Sequence, residues 1–162
     1  MIIYVKNKDT LTIGDFHLKC CVGKNGLNIN KKEGDYTTPK GIFSLIKLYF
    51  REDRLGQIKS KIQKKIITKN MAWCDDPNNK KYNEEIRVYR GHSKEFLYRK
   101  DHEYDYLISI SHNHKKIPYK GSAIFIHLTN SYKPTAGCIA LKKKDFEILL
   151  KLIDKKTKIR IG

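Results

Sequence analysis

The sequence predicts a mostly β fold carrying two helices. Three observations predict it. Short apolar runs broken by turn residues fill the first and last thirds of the chain. A helical period of apolar residues occurs in only two places. The middle, 71–106, is rich in polar and aromatic residues without any period, as in a loop region that shapes a site. There is no internal repeat and no Gly/Ser-rich linker, so one domain over 1–162 is expected.

Taken in order, 2–5, 11–13 and 16–18 are short apolar runs separated by the turn chemistry of 7–9 and Gly14-Asp15, a meander of strands. The polar stretch 23–35, with Gly23, Gly26 and Gly34, reads as a loop, and 42–50 as a β-rich run. Over 57–69, Ile58, Ile62 and Ile66 fall at i, i+4 and i+8 between lysines, which predicts a surface helix with one apolar stripe. Within 71–106, Pro77 and Asn78-Asn79 make an irregular connection. The runs 106–111, 123–128 and 137–141 return to strands. Phe146, Leu149, Leu150 and Ile153 predict a helix over 145–153, with Asp145 and Glu147 early and lysines late, as the helix dipole favours. A final strand is expected over 157–161.

Composition excludes several classes. Hydrophobic residues make up 40% and charged residues 31%, too polar for a membrane bundle and too apolar for a disordered tail. No apolar run approaches the roughly 18 residues of a membrane-spanning helix. The first apolar stretch, 2–5, is shorter than the h-region of an export signal, so either the chain stays inside the cell or a signal preceded it. The net charge is +17, but Lys supplies 28 of the 34 basic residues and Arg only 6. Arg is the preferred reader of phosphates and bases, so a dispersed Lys excess points to a solvated surface, and no nucleic-acid partner is expected. Attraction to an anionic polymer is the functional alternative. Of four cysteines, Cys20 and Cys21 read as small apolar fillers and Cys74 as a buried structural thiol. No C-x-x-C pair suggests zinc.

Cys138 is different. His127 ends the apolar run 123–128, and Cys138 follows Gly137 at the start of another. A strand-end His facing a strand-start Cys supplies a base and a nucleophile on rigid elements, since thiolate is the attacking species. From spacing alone, a His at a strand end is more often a half-buried surface residue.

Two segments carry a resemblance. Gly34-Asp35-Tyr36-Thr37-Thr38-Pro39-Lys40-Gly41-Ile42-Phe43 resembles the G-D-x-x-T-P-x-G-x-F segment of the YkuD-type L,D-transpeptidase domain. His127 followed by Thr135-Ala136-Gly137-Cys138 resembles that family's His … [Ser/Thr]-His-Gly-Cys signature. The likeness extends over about 1–162 and implies a β-sandwich or partly closed barrel of short strands. It implies Cys138 as the nucleophile on an L-to-D peptide bond of a peptidoglycan stem peptide, forming a thioester. It implies His127 as the base, its ring tied to the Leu128 carbonyl. The backbone N–H groups of Cys138 and Gly137 would be oxyanion donors, worth about 3–4 kcal/mol each. A transpeptidase passes the acyl group to an amine, a carboxypeptidase to water. The runner-up is a basic binding module with an inert Cys138.

The resemblance further implies cell-wall biogenesis and a place in the cell envelope or periplasm, although the missing signal leaves the cytoplasm open. No cofactor is expected, and the protein is expected to be a monomer. His112-x-His114 lacks a third ligand, so no metal is predicted. Candidate substrate-binding residues are Trp73, Asp76, Tyr82, Asn83, His112 and Asn113. Each has an ordinary counterpart: core packing for Trp73, loop capping for Asp75 and Asp76 before Pro77, a polar loop start for His112-Asn113. Ala136 stands where the family has His, and Ala140 where it has Arg or Asn, so a polar group from 73–83 or 112–113 is expected beside the Cys138–His127 pair.

Overall fold

The computed structural model describes residues 1–88 and 94–162. Tyr89 and His92, part of the uninterpreted middle stretch, lie outside the described residues. The chain begins with three short strands, β1 (Ile2–Val5), β2 (Thr10–Ile13) and β3 (Phe16–Cys21). The pair β4 (Leu27–Asn28) and β5 (Thr38–Pro39) leads into the long β6 (Gly41–Phe50). After the one-turn helix α1 (Glu52–Leu55) come β7 (Lys64–Ile66), β8 (Met71–Trp73), β9 (Glu85–Arg87) and β10 (Glu95–Phe96). The last third contains β11 (Tyr106–Ile110), β12 (Phe125–Leu128), β13 (Ile139–Leu141), α2 (Lys143–Leu152) and β14 (Lys158–Ile161).

The main sheet runs β11-β12-β13-β3-β2-β1-β14-β6-β7, and β6 also pairs with β11. The sheet therefore closes on itself, a barrel-like ring with β7 added at the side. Length makes this closure possible: the first residues of β6 pair with β14 and the last with β11. A register shift at Ser109/Ile110 bends the ladder at the closure, as a bulge does. The expected mostly β fold with a partly closed barrel is what the chain forms.

The alternation of side chains explains where the two cores sit. Ile124, Ile126 and Leu128 pack into the barrel with Ile108, Ile139 and Leu141. Their neighbours Ala123 and Phe125 face outward, into a second core with Leu107, Tyr104, Met71 and Leu97. β12 is thus buried on both faces, which is why it reads as an unbroken apolar run. The second core is roofed by the middle stretch, where β8 pairs with β9 on one side and β10 on the other. That stretch has more order than the sequence shows, because its strands are only two or three residues long.

The helix expected over 57–69 does not form. Gly56 closes α1 with φ +67, and the chain beyond it enters β7. Ile62 does bury its side chain, and Ile58 packs beside it. Their backbone, however, is drawn to the open edge of β6: Leu48 N–H donates to Gln63 O and Ile67 N–H to Phe50 O, both at 2.8 Å. Ser60 Oγ also accepts the Ile62 N–H at 3.1 Å, a local turn that competes with helix. β-branched isoleucines fit such a ladder better than a helix.

α2 forms as expected, with Phe146, Leu149 and Leu150 buried. Phe146 stacks on Tyr106 with ring centroids 5.2 Å apart. Phe146→Ala should therefore lower stability by about 3–5 kcal/mol in a denaturant titration; a loss below 1 kcal/mol would contradict this packing.

Candidate active site

Strand register brings His127 and Cys138 together. β12 and β13 run parallel, with Ile126 opposite Ile139 and His127 opposite Ala140. Extending that register by one residue puts Cys138 opposite Phe125. Cys138 is then one step along the same face from His127, because residues two apart share a face. Both line a cleft of about 470 Å³ between the barrel wall and the middle stretch.

The thiol is 7% exposed. Its Sγ accepts the Phe125 N–H at 3.3 Å and its S–H donates to Ala123 O at 3.2 Å. Burial pushes the Cys138 thiol far up; the Glu95 carboxylate adds to this, and the Phe125 N–H, Lys31 and Arg99 oppose it. His127 is 6% exposed. Its Nδ1–H donates to the Leu128 carbonyl at 2.8 Å, so Nε2 carries the lone pair. Burial pulls the imidazole down to about 4, against the bond to Leu128. At neutral pH the cleft therefore holds a neutral thiol and a neutral imidazole, and His127 is available as a neutral base.

The loop before Cys138 is pinned by the other segment singled out in the sequence. Thr38 Oγ1 accepts the Gly23 N–H and donates to Gly137 O, both at 2.8 Å. Asp35 Oδ1 accepts the Thr37 N–H at 2.9 Å and Oδ2 the Lys32 N–H at 2.8 Å, and Lys31 Nζ lies 2.6 Å from Oδ1. Burial alone would raise the Asp35 carboxyl, but Lys31 and these N–H groups hold it down at about 2. Gly137 has φ +149, and a Cβ there would sit 2.8 Å from Thr37 O. Thr135 Oγ1 donates to Cys138 O at 2.6 Å and accepts the Gly137 N–H at 3.1 Å. Gly137's N–H is therefore already engaged; what this residue contributes is its backbone shape.

None of the expected substrate-binding residues lines the cleft; they lie behind it, with their polar atoms bonded within the protein. Trp73 Nε1–H donates to Asn83 Oδ1 at 2.9 Å, and Asn83 Nδ2 donates to the carbonyls of His112 and Asn113 at 3.1 and 3.0 Å. Asn113 Nδ2 donates to Gly121 O at 2.9 Å, and Tyr82 OH accepts the Gly121 N–H at 3.0 Å. His112 Nε2–H donates to Lys120 O at 3.0 Å. Asp76 Oδ1 accepts the Asn78 N–H at 2.9 Å, forming a turn, while its neighbour Asp75 faces the cleft. Polar groups that do act on the pair include ones sequence reasoning passed over. The Tyr104 ring stands edge-on to His127 at 5.1 Å, and its hydroxyl donates to Glu95. The Arg99 guanidinium lies 4.6 Å from the Tyr104 ring centre and is held by Asp101 and Glu103. They belong to the aperiodic stretch, and only its density of aromatic and charged residues signals them. The cleft is lined by Glu33, Asp75, Glu95 and Glu103 against Lys31, Arg99 and Lys133. The net charge of +17 is thus carried elsewhere on the surface.

A family model described as the L,D-transpeptidase catalytic domain, YkuD, matches residues 1–161. The chain belongs to this family. Among solved structures, the helical cell shape determining protein Pgp2 from Campylobacter jejuni has a TM-score of 0.54 at 18% identity, covering 99% of this chain and 46% of that one. L,D-transpeptidase 3 from Mycobacterium tuberculosis has a TM-score of 0.51 at 11% identity, covering 99% of this chain and 60% of that one. Such identities show a shared fold, and this L,D-transpeptidase-like chain spans about half the length of these solved relatives. No curated protein matches it.

Among the described residues, no helix of this L,D-transpeptidase-like chain is long and apolar enough to cross a membrane. Ala136 and Ala140 both line the cleft, so neither departure from the family signature contributes a polar side chain to it.

Two outcomes are expected. Gly137→Ala forces a left-handed Ala against a carbonyl and should destabilise the protein by about 1–3 kcal/mol; wild-type stability in a denaturant titration would contradict the assigned backbone. His127 binds its proton in the unfolded chain near 6.5 but only near 4 in the folded protein. Stability is therefore whole above about 6.5 and eroded as pH falls from there to 4, by up to about 3 kcal/mol. His127→Leu should flatten this part of the stability curve relative to wild type; parallel curves would refute the buried neutral ring.

Proposed function

We propose that this chain is a cysteine-dependent L,D-transpeptidase that acts on peptidoglycan stem peptides through a thioester acyl-enzyme. The observation that carries this reading is the buried pair at the cleft: Cys138 and, on the same strand face, a His127 ring whose Nδ1–H is held by Leu128, leaving Nε2 basic. Family membership supports it.

In the first step the S–H proton passes to His127 Nε2 and the sulfur attacks the scissile carbonyl, forming a C–S bond. The Cys138 N–H is the proposed backbone donor to the oxyanion, since the Gly137 N–H serves Thr135. The C–N bond then breaks, and the leaving amine takes the proton back from His127. In the second step the acceptor amine gives a proton to His127, attacks the thioester and releases the thiol. Water in the same place would make the enzyme a carboxypeptidase. Trp73, Tyr82, Asn83, His112 and Asn113, with the Asp76 turn, support the cleft from behind, and the charged residues of its lining, Asp75, Glu95 and Arg99 among them, are proposed to meet the stem peptide. The chemistry needs no cofactor, and its substrate puts the work in the cell envelope.

Intact-mass spectrometry after exposure to a carbapenem tests the reading. Wild type should gain one drug mass on the peptide containing Cys138, and Cys138→Ala should gain none. Cys20→Ala, Cys21→Ala and Cys74→Ala should keep most of the labelling. His127→Ala should slow it about 10²–10⁴-fold, the usual loss for a positioned base. Wild-type labelling in Cys138→Ala would end the proposal.

A further inference from the structure

The Cys138 thiol is closed onto a carbonyl of unusual geometry. Its S–H donates to Ala123 O at 3.2 Å. Ala123 has φ +53, a left-handed value that residues with a Cβ seldom adopt. A single side chain holds the Ala123 N–H. Asn83 Oδ1 accepts the Ala123 N–H at 3.1 Å and the Trp73 indole N–H at 2.9 Å. Its Nδ2 is fixed by the carbonyls of His112 and Asn113. Every polar atom of the Asn83 amide is thus committed to the protein, and the residue is not among those lining the cleft. Trp73, which steadies Asn83, also packs edge-on against Phe125, whose N–H donates to Sγ.

We propose that Asn83 is a positioning residue for the nucleophile: by holding Ala123 in the left-handed region, it sets the carbonyl that keeps the Cys138 proton in the resting protein. The proposal deepens the preceding reading and rests on Cys138 being the nucleophile. The held proton keeps the thiol neutral and the sulfur at one fixed place until a substrate carbonyl enters and the proton moves to His127. Other groups act on this thiol as well: Glu95 from β10, Arg99 and Tyr104 from the segment before β11, and Lys31 from the loop before β5, while His127 from β12 lines the same cleft. All of them are retained in the variants below.

The direction of the effect follows from the bond. An S–H donating to a carbonyl favours the thiol, and the same oxygen opposes a thiolate. Without Asn83, Ala123 relaxes out of the left-handed region and its carbonyl turns away.

Iodoacetamide alkylation of Cys138, followed by peptide mass spectrometry across pH, provides the test. Asn83→Ala should speed alkylation at pH 7 about tenfold, moving the profile down by about one pH unit. Adding Ala123→Gly, which takes a positive φ without strain, should bring the profile back toward wild type. Buried Cys20 serves as the internal reporter of folding. A profile identical to wild type with Cys20 unlabelled overturns the proposal. If Asn83→Ala also exposes Cys20, the infrared S–H stretch of Cys138 in the unsubstituted protein decides. A frequency below that of a free thiol supports the held proton; a free-thiol frequency overturns it. The reagent needs no stem peptide, so this test can fail while carbapenem labelling succeeds, and the reverse.

Discussion

The parallel pairing of β12 with β13 is the constraint on which the site depends. It places Cys138 and His127 on the same outward face of the barrel wall. Parallel neighbours need a connection, and here it runs only from 129 to 138. That short span is closed by the Gly23–Thr135 bridge and by Thr38, whose hydroxyl ties Gly23 to Gly137. The loop that presents the thiol is thus held from the strand behind it and from the segment before β6. Gly137 is the residue that allows the approach, because any Cβ would press on the Thr37 carbonyl.

Burial then sets the chemistry. The same outer core that packs Phe125 and Tyr104 covers the thiol and the imidazole, and each is driven toward its neutral form. A neutral imidazole locked by the Leu128 carbonyl needs no carboxylate partner to choose its tautomer. Glu95 and Arg99 bring opposite charges to the same cleft, so its field is mixed although the chain as a whole is strongly basic. A mixed cleft suits a peptide carrying both amine and carboxylate groups better than it suits a uniformly anionic polymer.

Much of this was legible in residues whose constraints are local. The apolar runs of β1, β6, β12 and β14 announce their strands, and the glycine before Cys138 announces a special turn. The helix expected over 57–69 failed because an isoleucine spacing is silent about an unpaired sheet edge, and the edge of β6 decided the matter. Glu95, Arg99 and Tyr104 were missed for a related reason. They meet His127 only after three very short strands fold the middle stretch over β12, and such strands are too brief to leave a period. Asn83 reads from the sequence only as a polar residue near a site, because its partners at 73, 112–113 and 123 come from three separate segments.

The central claim is a buried, neutral Cys138–His127 pair with the imidazole proton on Nδ1. Nitrogen NMR of the His127 ring, assigned by comparison with His127→Leu, tests it most directly. The account predicts a neutral ring at pH 6, protonated at Nδ1 and free at Nε2, that takes up its second proton only near pH 4. A ring that titrates near its ordinary 6.5, or that carries its neutral-form proton on Nε2, would contradict it.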